Sequence, residues 1–131
     1  MELVSILVAT ITSFLFGAIW YTSLAKPWMV ASGVALDESG HPANRKSPFP
    51  YLISLIGTAG GAARIQHIFA RSGIVTFFEG LVSGLGLGLF AAVPWLATNY
   101  GFAGRPFRLI LIDGGYATIG CMIIGAVLAL F

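Results

Sequence analysis

The sequence predicts an all-α integral membrane protein, with four transmembrane helices in an antiparallel bundle, and three observations predict it. Of 131 residues, 57% are hydrophobic and 9% are charged, against roughly a quarter charged in an ordinary soluble domain. The 12 charged residues, seven basic and five acidic, are bunched between long uncharged runs. Those runs match the roughly 20 apolar residues that a helix needs to cross the hydrocarbon core. At this length the chain is one domain, residues 1–131, with no room for a separate soluble catalytic or nucleic-acid-binding domain.

Residues 3–25 contain no charge and, at about 1.5 Å per residue, extend roughly 34 Å, enough for a first span. Trp20, Tyr21, Lys26, Pro27 and Trp28 close it with rings suited to the headgroup layer and a cation that can snorkel. Because Glu2 is the only early charge and the apolar run is long, the segment is expected to be a retained helix and not a cleaved leader. Residues 26–49 form the one long polar connection, rich in Pro, Gly, Ser and charge. Its first part, residues 27–36, is compatible with a short interfacial helix that has Pro27 at its first position.

The second span is expected over residues 51–70, with Arg64, Gln66 and His67 in its last part. A turn at Arg71, Ser72 and Gly73 is short enough to make spans two and three an antiparallel hairpin. The third span, residues 74–100, has Glu79 near its start and Pro94 near its end, where a kink is expected. Arg105 and Pro106 introduce the fourth span, residues 107–131, whose one interior charge is Asp113. Lys26, Arg45, Lys46, Arg105 and Arg108 lie in the connections at one end, against Arg64 and Arg71 at the other. The positive-inside bias therefore predicts a bacterial cytoplasmic (inner) membrane protein with both termini outside.

Small residues recur every four positions: Ser5, Ala9, Ser13 and Gly17; Gly57 and Gly61; Gly80, Gly84, Gly88 and Ala92; Ala117, Cys121, Gly125 and Ala129. Each series draws a stripe down one helix face where another backbone can approach closely. Packing within the chain, a subunit interface and the lining of a narrow passage are all compatible with such stripes. Gly80, Gly84 and Gly88 are the best placed for a subunit contact. Cys121, the one cysteine, cannot form an intrachain disulfide and reads as a small packing residue.

A charge at membrane depth costs about 2.5–3.5 kcal/mol on insertion scales, so Arg64, Glu79 and Asp113 each need a partner or water. With the hairpin turning at Ser72, Arg64 and Glu79 fall at similar depth, and an ion pair between them is expected, supported by Gln66 or His67. That pair either neutralises two charges or forms a relay in which Glu79 titrates and His67 assists. Asp113, two turns into the fourth helix, is expected within reach of Arg105 and Arg108, with favourable charge near a helix N-terminus. Tyr116 shares its face. Trp20, Tyr21 and Lys26 from the first span, with Trp95, Asn99 and Tyr100 from the third, converge on the same end. The candidate ligand or ion site is accordingly Asp113, Tyr116, Asn99, Arg105, Trp20, Tyr21 and Lys26, read either as a headgroup anchor or as a binding site.

Gly17 with Trp20-Tyr21 and Lys26-Pro27-Trp28, Asn99-Tyr100 followed by Gly104-Arg105-Pro106, and Ile112-Asp113-Gly114-Gly115-Tyr116 carry a resemblance that covers nearly the whole chain. In these segments the sequence resembles a family of small four-span membrane proteins, domain of unknown function 1761. Two departures stand out: the stretch between Tyr21 and Lys26 is short, and Ala103 replaces an acidic residue before Gly-Arg-Pro. The resemblance implies a four-helix membrane protein and marks the same polar end, and it implies no activity.

Two histidines far apart, one cysteine and no phosphate-loop pattern offer no nucleophile, metal or nucleotide constellation, so neither enzyme activity nor a cofactor is expected. The leading expectation is a homo-oligomeric transporter or channel-like protein with its polar cluster at the cytoplasmic side. The first span lacks the central glutamate of small multidrug transporters. The alternative is a structural or accessory subunit of a larger membrane complex, binding partner helices, lipid or pigment. Membrane lipids are the one partner common to both, and nucleic acid is a partner in neither.

Overall fold

The structure is a computed structural model that describes residues 1–131. It is all-helical: α1 (Glu2–Ser23), α2 (Ala25–Ser32), α3 (Phe49–Ser72), α4 (Phe77–Leu87), a π-helical turn (Gly88–Ala92), α5 (Val93–Phe102) and α6 (Phe107–Leu128). Three helical stretches are long and apolar enough to cross a membrane: Glu2–Ser23, Phe77–Phe102 and Phe107–Leu128. Their outward faces carry Leu7, Ile11, Leu15, Ile19, Val82, Phe90, Trp95 and Leu111, all exposed. With 20 of 131 residues buried, the apolar content points mostly away from the protein interior, as lipid and not water would favour. The α3 helix is as long, at 24 residues. Its glycines and Arg64, Gln66, His67 and Arg71 leave it outside the set of three.

Helix α6 is the centre of the fold, with α4, α1, α5 and, more lightly, α3 and α2 packed against it. The reason is steric. A methyl added at Gly80 or Gly84 would collide with the carbonyl oxygens of Gly125 and Cys121, and one added at Gly88 would come within 2.5 Å of the Thr118 Cα. The two helices thus touch backbone to backbone along the Gly80, Gly84, Gly88 and Cys121, Gly125, Ala129 stripes, where dispersion and weak Cα–H contacts hold helices without a water-driven hydrophobic term. This corrects the expectation that Gly80, Gly84 and Gly88 are the best placed for a subunit contact: the stripe is buried within one chain. Ser5, Ala9, Ser13 and Gly17 of α1 are buried as well, and Ala9 joins Ala62, Ile65, Phe69, Ile124 and Leu128 in the core.

Because α4 lies on α6 and α3 lies mainly on α1, the expected hairpin of adjacent helices does not form, despite the short turn from Gly73 to Thr76. The expected Arg64–Glu79 ion pair is absent too, since Arg45–Asp37 is the one salt bridge in the chain. Two physical reasons account for this. Thr76 is the N-cap of α4, and Glu79 closes a capping box with it: the Glu79 carboxylate accepts from the Val75 and Thr76 amides at 3.3 and 3.1 Å, while Thr76 Oγ1 accepts from the Glu79 amide at 3.3 Å. The register is also different, because the turn runs to Thr76 and leaves Glu79 only three residues into its helix, whereas Arg64 lies nine residues before Gly73.

The third apolar stretch accommodates Pro94 without ending. Proline lacks an amide proton and its ring crowds the carbonyl four residues back. Here the chain widens just before it into the π turn Gly88–Ala92, where the Val93 amide reaches back to the Gly88 carbonyl. The interfacial helix forms over Ala25–Ser32, two residues earlier than expected, and stops at Gly33, whose φ of 65° suits glycine. In the remaining loop, Asp37 accepts from the Ser39 hydroxyl at 2.6 Å and from the Ser39 and His41 amides at 2.9 and 3.1 Å. The Ser39 hydroxyl and the His41 amide, with smaller help from Arg45, hold this carboxyl below the usual range.

The seam predicts opposite outcomes for two glycine substitutions. Gly84→Ala should lower stability by about 1–3 kcal/mol or more because the methyl meets backbone. Gly60→Ala, at a position with nothing within 4 Å, should be neutral or stabilising by up to about 1 kcal/mol through helix propensity. Thermal unfolding in a mild detergent measures both, and equal effects at the two positions would remove the seam.

Candidate functional site

At the end where α1 finishes and α6 begins, one carboxylate gathers side chains from three other helices. Asp113 Oδ1 accepts from the Tyr21 hydroxyl of α1 at 2.7 Å and from the Trp28 indole N–H of α2 at 3.1 Å. Its Oδ2 accepts from the Tyr100 hydroxyl of α5 at 2.6 Å. Hydrogen bonds to an ionised acceptor are the stronger kind, and three of them are what a partly buried carboxylate needs when no cation adjoins it.

Each donor has a local reason for its place. The α1 helix breaks at Leu24, whose φ and ψ of −107° and 18° turn the chain, and α2 restarts at once with the Trp28 amide bonded to the Leu24 carbonyl at 2.9 Å. The break swings Trp28 under the end of α1, seven residues after Tyr21. Tyr100 continues the α4 stripe: steps of four from Gly80 through Gly84, Gly88, Ala92 and Leu96 arrive at position 100. Such steps drift around an α-helix, and the wider π turn takes up part of the drift.

A layer of aromatic rings surrounds the bonds. The Trp20 indole donates to the Ile112 carbonyl at 3.0 Å, and its ring lies over Gly115, 2.8 Å from where a β-carbon would stand. Tyr116 lies over Gly17 in the same way, also at 2.8 Å. Its ring stacks on Phe16 with centroids 6.2 Å apart and meets Tyr21 edge-on at 5.1 Å, and Tyr21 meets Trp28 edge-on at 6.0 Å. The two glycines therefore hold this layer by omission: any side chain at position 17 or 115 displaces a ring.

Of the seven residues expected here, Asp113, Tyr21, Trp20 and Tyr116 come together. Asn99 and Lys26 are exposed and make no side-chain bond to the cluster. Arg105 is exposed at the flank, with Nη1 2.8 Å from the β-carbon position of Gly33, and neither it nor Arg108 forms an ion pair with Asp113. Asp113 is the seventh residue of α6, past the first turn where a helix terminus favours negative charge. Neutral donors replace both expected sources of stabilisation. Trp28 and Tyr100 were not among the seven; the extended small-residue stripe marks Tyr100, whereas only the break at Leu24 places Trp28.

Beside this cluster runs a groove of about 180 Å³ between α1, α3 and α6, lined by Ser13, Gly57, Thr58, Gly61, Tyr116 and Cys121 among others. It exists because α3 buries only Ala62, Ile65 and Phe69, all in its second half, while Phe49, Leu52, Ile53 and Ile56 of the first half are exposed. The groove and the clamp share Tyr116. No three His, Cys, Asp or Glu side chains gather anywhere in the chain, so no metal-ligand set is present.

This is an all-helical protein with membrane-length apolar helices and an aromatic clamp on a single carboxylate at one end. Residues 4–129 match the family described as Protein of unknown function (DUF1761), and the chain belongs to that family. No curated protein and no solved structure matches it.

The three donors predict a graded response. Tyr100→Phe or Tyr21→Phe should each cost about 1.5–3 kcal/mol, as loss of a hydrogen bond to a charged group does. Tyr116→Phe, which removes a hydroxyl that makes no hydrogen bond, should cost less than about 0.5 kcal/mol. Unfolding followed by tryptophan fluorescence distinguishes them, and a Tyr116→Phe effect equal to that of Tyr100→Phe would contradict the assignment of donors.

Proposed function

We propose that the protein is a small homo-oligomeric transporter-type protein of the bacterial cytoplasmic membrane. In this reading α3 is a fourth span in an antiparallel bundle, with both termini outside and the Asp113 clamp at the cytoplasmic mouth. One observation carries it: a single titratable carboxylate ties α1, α2 and α5 to α6 beside a groove that ends on the same aromatic layer. An ionised Asp113 accepts all three donors. Without its charge the carboxyl holds the same donors more weakly, since hydrogen bonds to an ionised acceptor are roughly twice as strong as neutral ones. Loss of that charge thus loosens α2 and the end of α5 together and opens the mouth. The groove lining, with hydroxyls from Ser13 and Thr58 on an otherwise apolar wall, fits a small and weakly polar molecule. Since Gly80, Gly84 and Gly88 are used inside the chain, subunits meet through another face.

Cys121 tests the gate without a known substrate, because the only thiol lines the groove. A membrane-impermeant maleimide applied from the clamp side should label Cys121 slowly in the native chain and about ten-fold faster in Asp113→Asn. A permeant maleimide serves as the control for folding. Equal impermeant labelling of both proteins, with permeant labelling retained, rejects a gated groove.

A second reading, an accessory subunit that binds partner helices, lipid or pigment, is favoured by Gly60, whose outward position meets nothing within 4 Å, beside Gly57 and Gly61 at the open edge of the groove. Purification in mild detergent separates the two: fixed-ratio recovery with a larger complex supports the accessory role, and a homo-oligomer alone supports the transporter.

A further inference from the structure

We infer that the outward face of α3 is a binding surface for an anionic phospholipid, whose phosphate is held by Arg64, His67 and Arg71 and whose acyl chain lies along Gly57, Gly60 and Gly61. The inference rests on the four-span reading, which puts α3 in the bilayer. At about 100° per residue, Ile53, Gly57, Gly60, Gly61, Arg64, His67 and Arg71 fall in one stripe roughly 120° wide. Ala62, Ile65 and Phe69, the buried residues of α3, lie on the other side. Every member of the stripe is exposed.

The stripe has two halves of different chemistry. The three basic side chains extend over about 10 Å at the C-terminal end of the helix, and none has a carboxylate within ion-pair distance. Above them the glycines form a shallow furrow with nothing within 4 Å of their β-carbon positions; Gly60 faces outward and Gly57 and Gly61 form the furrow's border with the groove toward α1 and α6. A cation this far into a lipid-facing helix is costly unless an anion reaches it. The phosphate of an anionic lipid lies at that edge of the bilayer and brings an apolar tail that follows the furrow.

A second copy of the chain is a poorer occupant. In a two-fold contact through this stripe, Arg64 would face Arg64 and Arg71 would face Arg71. The side-chain carboxylates at this end are Glu2 and Glu79. Glu79 is committed to its capping box. Glu2 borders a different cleft, with Ser5, Gln66 and Ala70 on the flank of α3.

The test is native mass spectrometry of the full chain from nanodiscs of equal parts phosphatidylglycerol and phosphatidylcholine. The native protein should retain phosphatidylglycerol preferentially, and the preference should fall about five-fold for each arginine removed in Arg64→Gln and Arg71→Gln. Arg64→Lys with Arg71→Lys should keep most of it. Lys46→Gln with Arg108→Gln, which removes the same charge at the other end, should leave it unchanged. Equal retention of the two lipids by the native chain, an equal loss in the Lys46 and Arg108 variant, or displacement of the lipid by excess inorganic phosphate would each overturn the inference. Release of the native protein by alkaline carbonate would instead overturn the four-span reading beneath it.

Discussion

The close approach of α4 to α6 constrains everything else in this fold. Two backbones can lie in contact only where side chains are missing, so Gly80, Gly84 and Gly88 admit one partner face, and α6 supplies it with Cys121, Gly125 and Ala129. With α4 held there, α1 takes a second side of α6 and α3 settles mainly against α1. The chain order then no longer matches the order in space. Helices joined by a short turn end up on different neighbours, and the charges they carry cannot meet.

The clamp at Asp113 follows from the same arrangement. Since the glycine stripe runs along α4 toward the π turn, its continuation delivers Tyr100 to α6 at the level of Asp113. The α1 helix, pressed against α6 through Ser13 and Gly17, brings Tyr21 to the other oxygen. The seam and the clamp work at different places and by different physics. One is dispersion and shape along the length of two helices; the other is directional hydrogen bonding at one end. Neutral donors alone hold this carboxylate, with no cation paired to it.

Much of this was legible in the sequence, and the parts that were not share a cause. The helical content, the polar loop, the short helix after Leu24 and the convergence of Asp113, Tyr21, Trp20 and Tyr116 follow from periodicity, composition and position along the chain. The Arg64–Glu79 pair failed because it assumed that consecutive helices are neighbours and that the turn centres on Ser72. Thr76 three residues before Glu79 is a capping-box spacing that could have placed the helix start correctly. Arg105 and Arg108 failed as partners for a similar reason: sequence proximity to Asp113 says nothing about where a side chain turns, and Arg105, before the start of α6, lies against Gly33. Trp28 depends on the break at Leu24, a non-helical φ and ψ with no glycine or proline at that residue to announce it.

Asp113 and Arg64 are placed in opposite ways. Asp113 is drawn inward, where three helices supply donors and Gly17 and Gly115 make room for rings around it. Arg64 is left on an outward face with open glycines beside it. A charge left outside responds to what surrounds the protein. In the proposed reading the Asp113 end is the part that moves and the α3 face is the part that meets lipid, with Tyr116 and the groove between them.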